Sequence, residues 1–407
     1  MAAQNDWRRA LTATERFNNI QSIEKAAHPA ALTASALTLE NDAYTSSSSR
    51  EDYDAACALL SVPPGSLSAT ATHPAVAGHD DGTGNDNDND DGTSGIDIGS
   101  YKNCRYLASG TSSAVYRSGA VALKVCTISS DCAPHNVYRE AKILKQLQAT
   151  EATAEATATA ASTNIIQLHE TFHDADHQLV LVLPYMPLTL QTVLQNDRDK
   201  IPRKRLQGYF VDILRALAHV HRQGIVHRDV KPSAILLWSI DGPACLSDFG
   251  TAWHPVFSAD DEPADAKVLD IGTGPYRAPE ALFGNQAYGP PVDMWAVGAM
   301  LAESARPAPH RPLFESRAVH EDGNQLGLIL SIFKTVGTPT RASWPEAASF
   351  RTPPFEMYRV FAPQPWTAIL PDVDADVREI VASLVKYSNS TRLTAEEVGA
   401  VLLGSAT

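Results

Sequence analysis

The sequence has few cysteines, and none of them stands in a pairing motif. Five occur among 407 residues, with no CxxC spacing between any two: Cys57, Cys104, Cys126, Cys132 and Cys245. An odd, scattered set predicts neither a disulfide framework nor a cysteine-built zinc site. Free thiols of this kind fit a reducing compartment, so we expect the protein in the cytoplasm, the nucleus or both.

Long apolar runs and an excess of basic residues are also missing. No run of about 18 apolar residues occurs, and the opening segment MAAQNDWRRALTATERF has no apolar centre. We therefore expect a soluble intracellular protein without a membrane partner. The formal net charge of −14 argues against a nucleic-acid partner, because binding to a phosphate backbone requires basic stripes.

Residues 1–100 are poor in apolar groups. They are rich in Ala, Ser, Thr, Asn and Asp, with SSSS at 46–49 and NDNDNDD at 85–91. Such a segment buries too little surface to offset its ordering entropy, so we expect it to be mostly disordered, with a short helix near 6–26 left open. The Asp/Asn run has part of a calcium-loop spacing, but Ile98 stands where the bidentate Glu is needed. We interpret the run as a solvated acidic linker.

The pattern changes at Tyr101. Short β-like runs (YLASG, AVYRSG and VALKVC) come first, and a helical stretch follows at about 133–147. A low-complexity insert at 149–163 precedes two more strand-like runs, and the chain is largely helical after about residue 190. A small β-rich lobe at about 101–185 and a larger helical lobe at about 186–404 predict an α+β fold.

Several charged motifs follow one another in order over about 300 residues. They are Val121-Ala122-Leu123-Lys124, Arg139-Glu140, His227-Arg228-Asp229-Val230-Lys231-Pro232-Ser233-Ala234, Asp248-Phe249-Gly250 and Ala278-Pro279-Glu280. In this order they resemble the protein kinase family. The resemblance implies a bilobal protein kinase fold and a serine/threonine phosphotransferase that uses ATP and Mg²⁺ on a protein substrate. It also implies that Glu280 pairs with Arg392.

The same resemblance assigns the catalytic roles. It implies that Lys124 holds the α- and β-phosphates of ATP and that Glu140 pairs with Lys124. Asp229 is expected to orient the substrate hydroxyl, and Lys231 to steady the transferring phosphoryl group. Asp248 is expected to bind Mg²⁺.

The residues expected around the nucleotide come mostly from the small lobe. Residues 107–115 look like a glycine-rich loop, but Ala108 and Ser113 replace its first and third glycines, and each added Cβ stiffens the approach to the phosphates. Residues 179–186 resemble the last strand and the hinge, with Leu183 as gatekeeper, although a plain core strand would have the same residues. The expected nucleotide-binding set is Ala108, Gly110, Val115, Ala122, Lys124, Leu183, Pro184, Met186 and Leu236.

One motif position departs from the family. Ala234 stands five residues after Asp229, where the family has an Asn that coordinates a second Mg²⁺. A methyl group cannot coordinate a metal. We expect an active kinase in which Asp248 and ATP oxygens hold a single Mg²⁺, at a rate lowered by roughly one to three powers of ten. A pseudokinase scaffold with weakened metal binding is the alternative.

The large lobe resembles the cyclin-dependent branch of the CMGC group. Its markers are PHNVYRE at 134–140, TGPYRAPE at 273–280, and NQL, IFKTVGTP and WP between 324 and 345. DFGTAWHP and IGTGPYRAPEALFGN look like the fungal single-subunit kinases that activate cyclin-dependent kinases, which implies another kinase as the protein substrate. Cyclin binding stays open, because the insert at 149–163 could block or replace it.

The segment that follows Asp248-Phe249-Gly250 lacks the family's phosphorylation site. The family has a Thr five residues before the Thr273 position, and Val268 occupies that place here. No Ser, Thr or Tyr lies between Ser258 and Thr273.

Acidic residues fill this segment instead. They are Asp260, Asp261, Glu262, Asp265 and Asp270. A carboxylate can supply part of the charge of a phosphate. We predict that Asp270 or Asp265 satisfies Arg228 and Arg139, although Trp253 replaces a third arginine. A merely solvated acidic loop is the alternative.

Overall fold

The computed structural model of this protein describes residues 43, 47, 49–60, 95–110, 112–126, 133–155, 164–196, 201–307, 311–315, 325–355 and 359–404. The chain divides into two units, 1–91 and 92–407, which are described separately. The helix expected near 6–26 and the acidic run at 85–91 lie outside the described residues.

The first unit contains one described helix that the sequence did not predict, α1 (Arg50–Leu60). Its beginning is capped by Ser49, whose Oγ accepts the Asp52 N–H at 3.1 Å. Tyr53 and Cys57 stand four residues apart on one face, and both are buried. Two buried positions four residues apart are a weak signal in a polar segment, which is why composition alone indicated disorder.

The second unit begins with an antiparallel sheet and one helix. The strands are β1 (Ile96–Ile98), β2 (Tyr101–Ser109), β3 (Ser113–Ser118), β4 (Val121–Cys126), β5 (Glu170–His173) and β6 (Leu179–Pro184), in the order β1-β2-β3-β4-β6-β5. The helix α2 (Val137–Glu155) lies between β4 and β5 in the chain and buries Ile143, Leu144 and Leu147. It continues into the low-complexity insert, of which 156–163 lie outside the described residues.

The larger lobe is mainly helical. Its elements are β7 (Leu188–Thr189), α3 (Leu190–Asn196), α4 (Arg203–Arg222), β8 (Ile235–Leu237), β9 (Ala244–Leu246), α5 (Pro279–Leu282), α6 (Pro291–Ala305), α7 (Leu326–Val336), α8 (Trp366–Ile369), α9 (Ala375–Leu384) and α10 (Ala395–Gly404). Strands β7, β8 and β9 form a small sheet in that order. The expected two-lobed α+β arrangement is present. Among the helices that are described, none is long and apolar enough to cross a membrane.

Helix α6 is the centre of the large lobe because it is apolar on nearly every side. Trp295 and Met300 are fully buried, and the helix packs closely on α9 at Gly298. A Cβ at Gly298 would lie 2.8 Å from Cβ of Leu384, so only glycine permits this approach.

A buried carboxylate on α6, that of Asp293, holds the backbone of the HRD motif. It accepts the N–H groups of His227 at 2.9 Å and Arg228 at 2.8 Å, and the Nε2 of His221 lies 2.8 Å from it. Arg228 has a φ of 72°, in the left-handed region that favours glycine. Such a conformation costs about 1–3 kcal/mol, and the two hydrogen bonds to Asp293 offset this cost.

The expected ion pair between Glu280 and Arg392 is present. The Arg392 guanidinium donates to both carboxylate oxygens, at 2.8 and 3.2 Å, and also to the carbonyl of Lys386. The two side chains are 1% and 0% exposed. The pair joins α5 to the turn that precedes α10.

Removing one partner of this buried pair is predicted to destabilise the large lobe. Arg392→Met leaves the Glu280 carboxylate buried without a counter-charge, so the free energy of unfolding should fall by about 3–5 kcal/mol. Arg203→Met is the matched control, because Arg203 pairs with Asp374 and Asp376 while about half exposed; its loss should be under about 1 kcal/mol. Urea denaturation measures both, and equal losses would contradict the prediction.

Candidate active site

The side chain of Lys124 lies at the meeting point of the two lobes. Its Nζ donates to both carboxylate oxygens of Glu140 at 2.9 Å, and to Oδ1 of Asp248 at 2.9 Å. Lys124 comes from the middle of β4, opposite Leu181 on β6, while Glu140 comes from the first turn of α2. The Lys124–Glu140 pair that the resemblance implied is therefore formed, and Asp248 shares the same ammonium.

The charges of this cluster keep its members ionised. Burial by itself would lower the pKa of Lys124, but the charges of Asp248 and Glu140 outweigh burial and raise it above its ordinary value. The Lys124 ammonium in turn holds the pKa of Asp248 well below its usual range. Asp248 is therefore an anion at neutral pH, and its side chain is 48% exposed to the cleft.

A second cluster surrounds the carboxylate of Asp229. Its Oδ1 accepts the hydroxyl of Thr273 at 2.7 Å, and its Oδ2 lies 2.5 Å from Nζ of Lys231. Lys231 also donates to Oγ1 of Thr273 at 3.0 Å. The loop that carries Asp229 and the segment that carries Thr273 are thus joined at the carboxylate.

The segment around Asp248 is fixed by its neighbours on both sides. Phe249 is fully buried and packs edge-to-face on His227, with ring centroids 4.8 Å apart. The next carbonyl, of Gly250, accepts the N–H of Asn136 at 2.9 Å, just before α2. This hydrogen bond holds the beginning of α2 against the segment that presents Asp248.

A cleft of about 360 Å³ brings the predicted catalytic residues together. It is lined by Lys124, Asp229, Lys231 and Asp248 together with Gly110, Ser112, Ser113, His135 and Thr273. The N–H of Gly110 donates to the Ser113 carbonyl at 2.8 Å, which closes the loop between β2 and β3 as a tight turn. The lining is mostly polar and includes two lysines, which suits a phosphate group.

The expected adenine-side residues lie on adjacent strands. Ala108 pairs with Val115, and Ala122 pairs with Leu183. Three further members of the set, Pro184, Met186 and Leu236, are half-buried. In the hinge, the Tyr185 N–H donates to the Ala120 carbonyl at 2.9 Å and is therefore occupied. That these residues bind adenine stays a prediction.

The position of Ala234 provides no oxygen side chain for a metal. Ala234 is 1% exposed, and its carbonyl accepts both the N–H and the hydroxyl of Ser247, at 2.9 and 2.8 Å. Within the described part of the chain, no group of three or more His, Cys, Asp or Glu residues forms a ready metal site. Asp248 offers an ionised carboxylate to the cleft, while the carboxylate of Asp229 is engaged by Thr273 and Lys231. Mg²⁺ is commonly held by one or two carboxylates and substrate phosphates. The residues present fit one Mg²⁺ bound with a nucleotide.

Thr273 and His135 are among the lining residues that were not assigned to the site from the sequence. Thr273 was noted only as a motif position, yet it bonds to both Asp229 and Lys231. His135 stands two residues before α2 and reaches the cleft, where burial lowers its pKa. No spacing rule marks a histidine at that place, so its position in the cleft could not be predicted from the sequence.

The prediction that Asp270 or Asp265 satisfies the arginines is wrong. Asp270 pairs instead with Arg277 at 3.0 Å and its side chain is 85% exposed, while Asp265 lies on the surface. The acid that contacts Arg228 and Arg139 is Glu262. A turn at 254–262 carries Glu262 inward, and the chain order of the five acids does not reveal this turn.

Comparison with known proteins agrees with this geometry. A family model described as protein kinase domain matches residues 101–401. The chain belongs to the protein kinase domain family. It is similar to "Serine/threonine-protein kinase csk1" of Schizosaccharomyces pombe, with 39% identity over 206 residues. The aligned region covers 48% of this chain and 63% of that relative, so this chain spans less than two thirds of the relative's length.

The hydroxyl of Thr273 is predicted to matter for phosphoryl transfer by this kinase domain. Thr273→Val removes the donor to Asp229, and a hydrogen bond to a charged group contributes about 1.5–3 kcal/mol, so the initial rate should fall roughly tenfold or more. Thr273→Ser keeps the hydroxyl and should stay near the parent rate. Initial rates with ATP and a general protein substrate measure both, and equal rates for the two variants would contradict the prediction.

Proposed function

We propose that this chain is a serine/threonine kinase that transfers the γ-phosphoryl group of ATP to a protein substrate. The observation that carries the proposal is the cleft in which Lys124, Glu140 and Asp248 form one ion cluster and Asp229, Lys231 and Thr273 form another. The first cluster suits the binding of nucleotide phosphates, and the second suits the positioning of a hydroxyl. The similarity to a serine/threonine kinase of fission yeast supports the same reaction.

In the proposed reaction, the side chains act through charge and position. Lys124 binds the α- and β-phosphates while Glu140 keeps its ammonium in place. Asp229 accepts a hydrogen bond from the substrate hydroxyl and orients it toward the γ-phosphorus. Lys231, which already contacts Asp229, donates to the transferring group. Asp248 would hold Mg²⁺ together with the nucleotide, and the bound metal would neutralise charge on the phosphates.

A catalytically weak scaffold is the second candidate, and Ala234 is the observation that favours it. The loss of one metal ligand weakens the hold on a second Mg²⁺. The other catalytic residues argue against a scaffold, because all of them form the contacts described above: Lys124, Glu140, Asp248, Asp229 and Lys231. A chain freed from catalysis has no reason to keep these five together, so we favour the active enzyme.

The finer proposal is a cyclin-dependent-kinase-like enzyme of the CMGC type, acting on the activation segment of another kinase. It rests on the sequence markers at 134–140, 273–280 and 324–345 and on their resemblance to fungal kinases that activate cyclin-dependent kinases. Arg277, which belongs to the 273–280 marker, also holds the end of the segment, since its guanidinium binds Asp270 and the Leu269 carbonyl. Cytoplasm or nucleus is the proposed location, and cyclin dependence stays open.

Two substitutions test the proposal that this chain is an active kinase. Asp229→Asn should lower kcat by about a hundredfold or more while ATP affinity stays close to the parent value, because positioned acid–base groups contribute about 10²–10⁴. Lys124→Met should lower both kcat and ATP affinity. Lys102→Met is the matched control, since Lys102 lies on the surface in an exposed pair with Asp97. Radiolabel transfer and nucleotide titration measure these changes; a parent protein without transfer activity would overturn the proposal.

A separate substitution restores the missing oxygen ligand. Ala234→Asn should raise the rate, or lower the Mg²⁺ concentration needed for half-maximal rate, by up to the roughly one to three powers of ten that a lost ligand costs. Ala234→Leu has the same branching at Cγ, is somewhat larger, lacks the amide oxygen and should give no gain. Because position 234 is buried, melting temperatures of both variants should be recorded. No gain in a folded Asn variant would show that a second Mg²⁺ does not limit this enzyme.

A further inference from the structure

The carboxylate of Glu262 is buried between two arginines. Its Oε2 lies 2.5 Å from Nη1 of Arg228, and its Oε1 lies 3.2 Å from Nη2 of Arg228 and 3.4 Å from Nη1 of Arg139. Glu262 is 3% exposed, and both arginines are buried as well. The contact with Arg228 is two-pronged, the strongest form of arginine–carboxylate pairing.

The backbone of the segment places this carboxylate. The His254 N–H donates to Oγ of Ser258 at 3.0 Å, and the Ser258 N–H donates back to the His254 carbonyl at 3.0 Å. The Glu262 N–H then donates to the Ser258 carbonyl at 2.7 Å, and its own carbonyl accepts Nε1 of Trp253 at 2.9 Å. Residue 262 is therefore fixed by main-chain contacts, independently of its side chain.

The following part of the segment closes over the carboxylate. The Val268 N–H donates to Oε2 of Glu262 at 3.2 Å, and the Val268 carbonyl accepts the hydroxyl of Tyr288 at 2.6 Å. Tyr288 also accepts from Nη1 of Arg228 at 3.1 Å. A third cation, Lys267, lies 4.4 Å above the ring of Trp253. Glu262 thus supplies negative charge to a cluster of buried cations.

The charge at Glu262 persists at neutral pH. Burial by itself would raise the pKa of Glu262, but the hydrogen bonds and charges of Arg228 and Arg139 hold it below its ordinary value. Arg139 directly precedes Glu140 on α2, and Arg228 directly precedes Asp229 in the catalytic loop. The carboxylate of Glu262 therefore connects α2, the catalytic loop and the segment that carries Glu262 itself.

We propose that Glu262 is a permanent positioning residue, which holds the activation segment, α2 and the catalytic loop in their working arrangement without phosphorylation of the segment. The proposal rests on the kinase activity proposed above. It is supported by the hydroxyls near the site, which are all engaged: Ser258 is fully buried in its turn, Thr251 donates to the His227 carbonyl and Thr273 donates to Asp229. Position 268, beside the carboxylate, is a valine that cannot take a phosphate.

The first test uses the full chain produced in a bacterial host. Its activity should be the same before and after phosphatase treatment, and peptide mass spectrometry should show no phosphate on residues 250–280. Glu262→Gln, which keeps the shape but removes the charge, should lower kcat at least tenfold, or about 1.4 kcal/mol, with KM for ATP within about twofold. Asp260→Asn is the matched control, because this exposed acid lies two residues upstream.

The second test separates positioning from folding. In Glu262→Ala, millimolar acetate should restore part of the lost activity, whereas acetamide or chloride at equal ionic strength should not. Glu262→Asp should be intermediate. Limited proteolysis within 254–273 should be faster in Glu262→Gln than in the parent. This measurement does not depend on catalytic activity, so it tests the positioning role even if the parent transfers no phosphate.

Three outcomes would overturn the inference. They are loss of parent activity on phosphatase treatment, parent-like kcat in folded Glu262→Gln, and equal proteolysis of the two proteins. If Glu262→Gln does not fold, the phosphatase result alone decides. A requirement for phosphate would exclude the proposed role of Glu262, and activity without phosphate would support it. If the parent transfers no phosphate but its 254–273 segment resists proteolysis more than that of Glu262→Gln, the proposed function is wrong and the positioning role of Glu262 stands.

Discussion

The ammonium of Lys124, shared between Glu140 and Asp248, is the interaction on which the rest of the kinase domain depends. A buried charge is costly unless its partners arrive with good geometry, and these partners come from three separate elements. The sheet supplies Lys124, α2 supplies Glu140, and the large lobe supplies Asp248. The cluster is therefore stable only when both lobes and α2 are in place. It makes the phosphate-binding group and the metal-binding group members of a single charge arrangement.

A second charge arrangement is coupled to the first by sequence adjacency. Arg139 and Glu140 are neighbours on α2, and their side chains go to different clusters, Arg139 to Glu262 and Glu140 to Lys124. Arg228 and Asp229 repeat this division in the catalytic loop. A displacement of α2 would strain both clusters at once, because Arg139 and Glu140 are adjacent in the chain and must move together. The catalytic geometry and the activation segment are therefore held as one cooperative unit.

The sequence was sufficient for everything that depends on local motif chemistry. The α+β fold followed from the order of strand-like and helical runs, and the Lys124–Glu140 and Glu280–Arg392 pairs were implied by the resemblance of the motifs to protein kinases; both pairs are formed. It was insufficient where a loop reverses without a periodic signal. Five acids compete for the arginines in 260–270, and the selection of Glu262 depends on the turn around Ser258, a tertiary feature. His135 was missed for the same reason, since a residue outside a helix has no face to predict.

Glu262 and Ala234 act on different quantities, so neither residue can compensate for the other. Glu262 biases a population, namely the fraction of molecules whose segment is in the working arrangement. Once that fraction is about nine-tenths, further stabilisation adds at most about a tenth to the observed rate. Ala234 acts on the barrier of the chemical step itself, where each power of ten is about 1.4 kcal/mol. A rate deficit caused by Ala234 therefore persists in a fully latched enzyme. The two proposals together therefore describe a kinase that is active without phosphorylation of its activation segment and whose turnover is limited by its metal site.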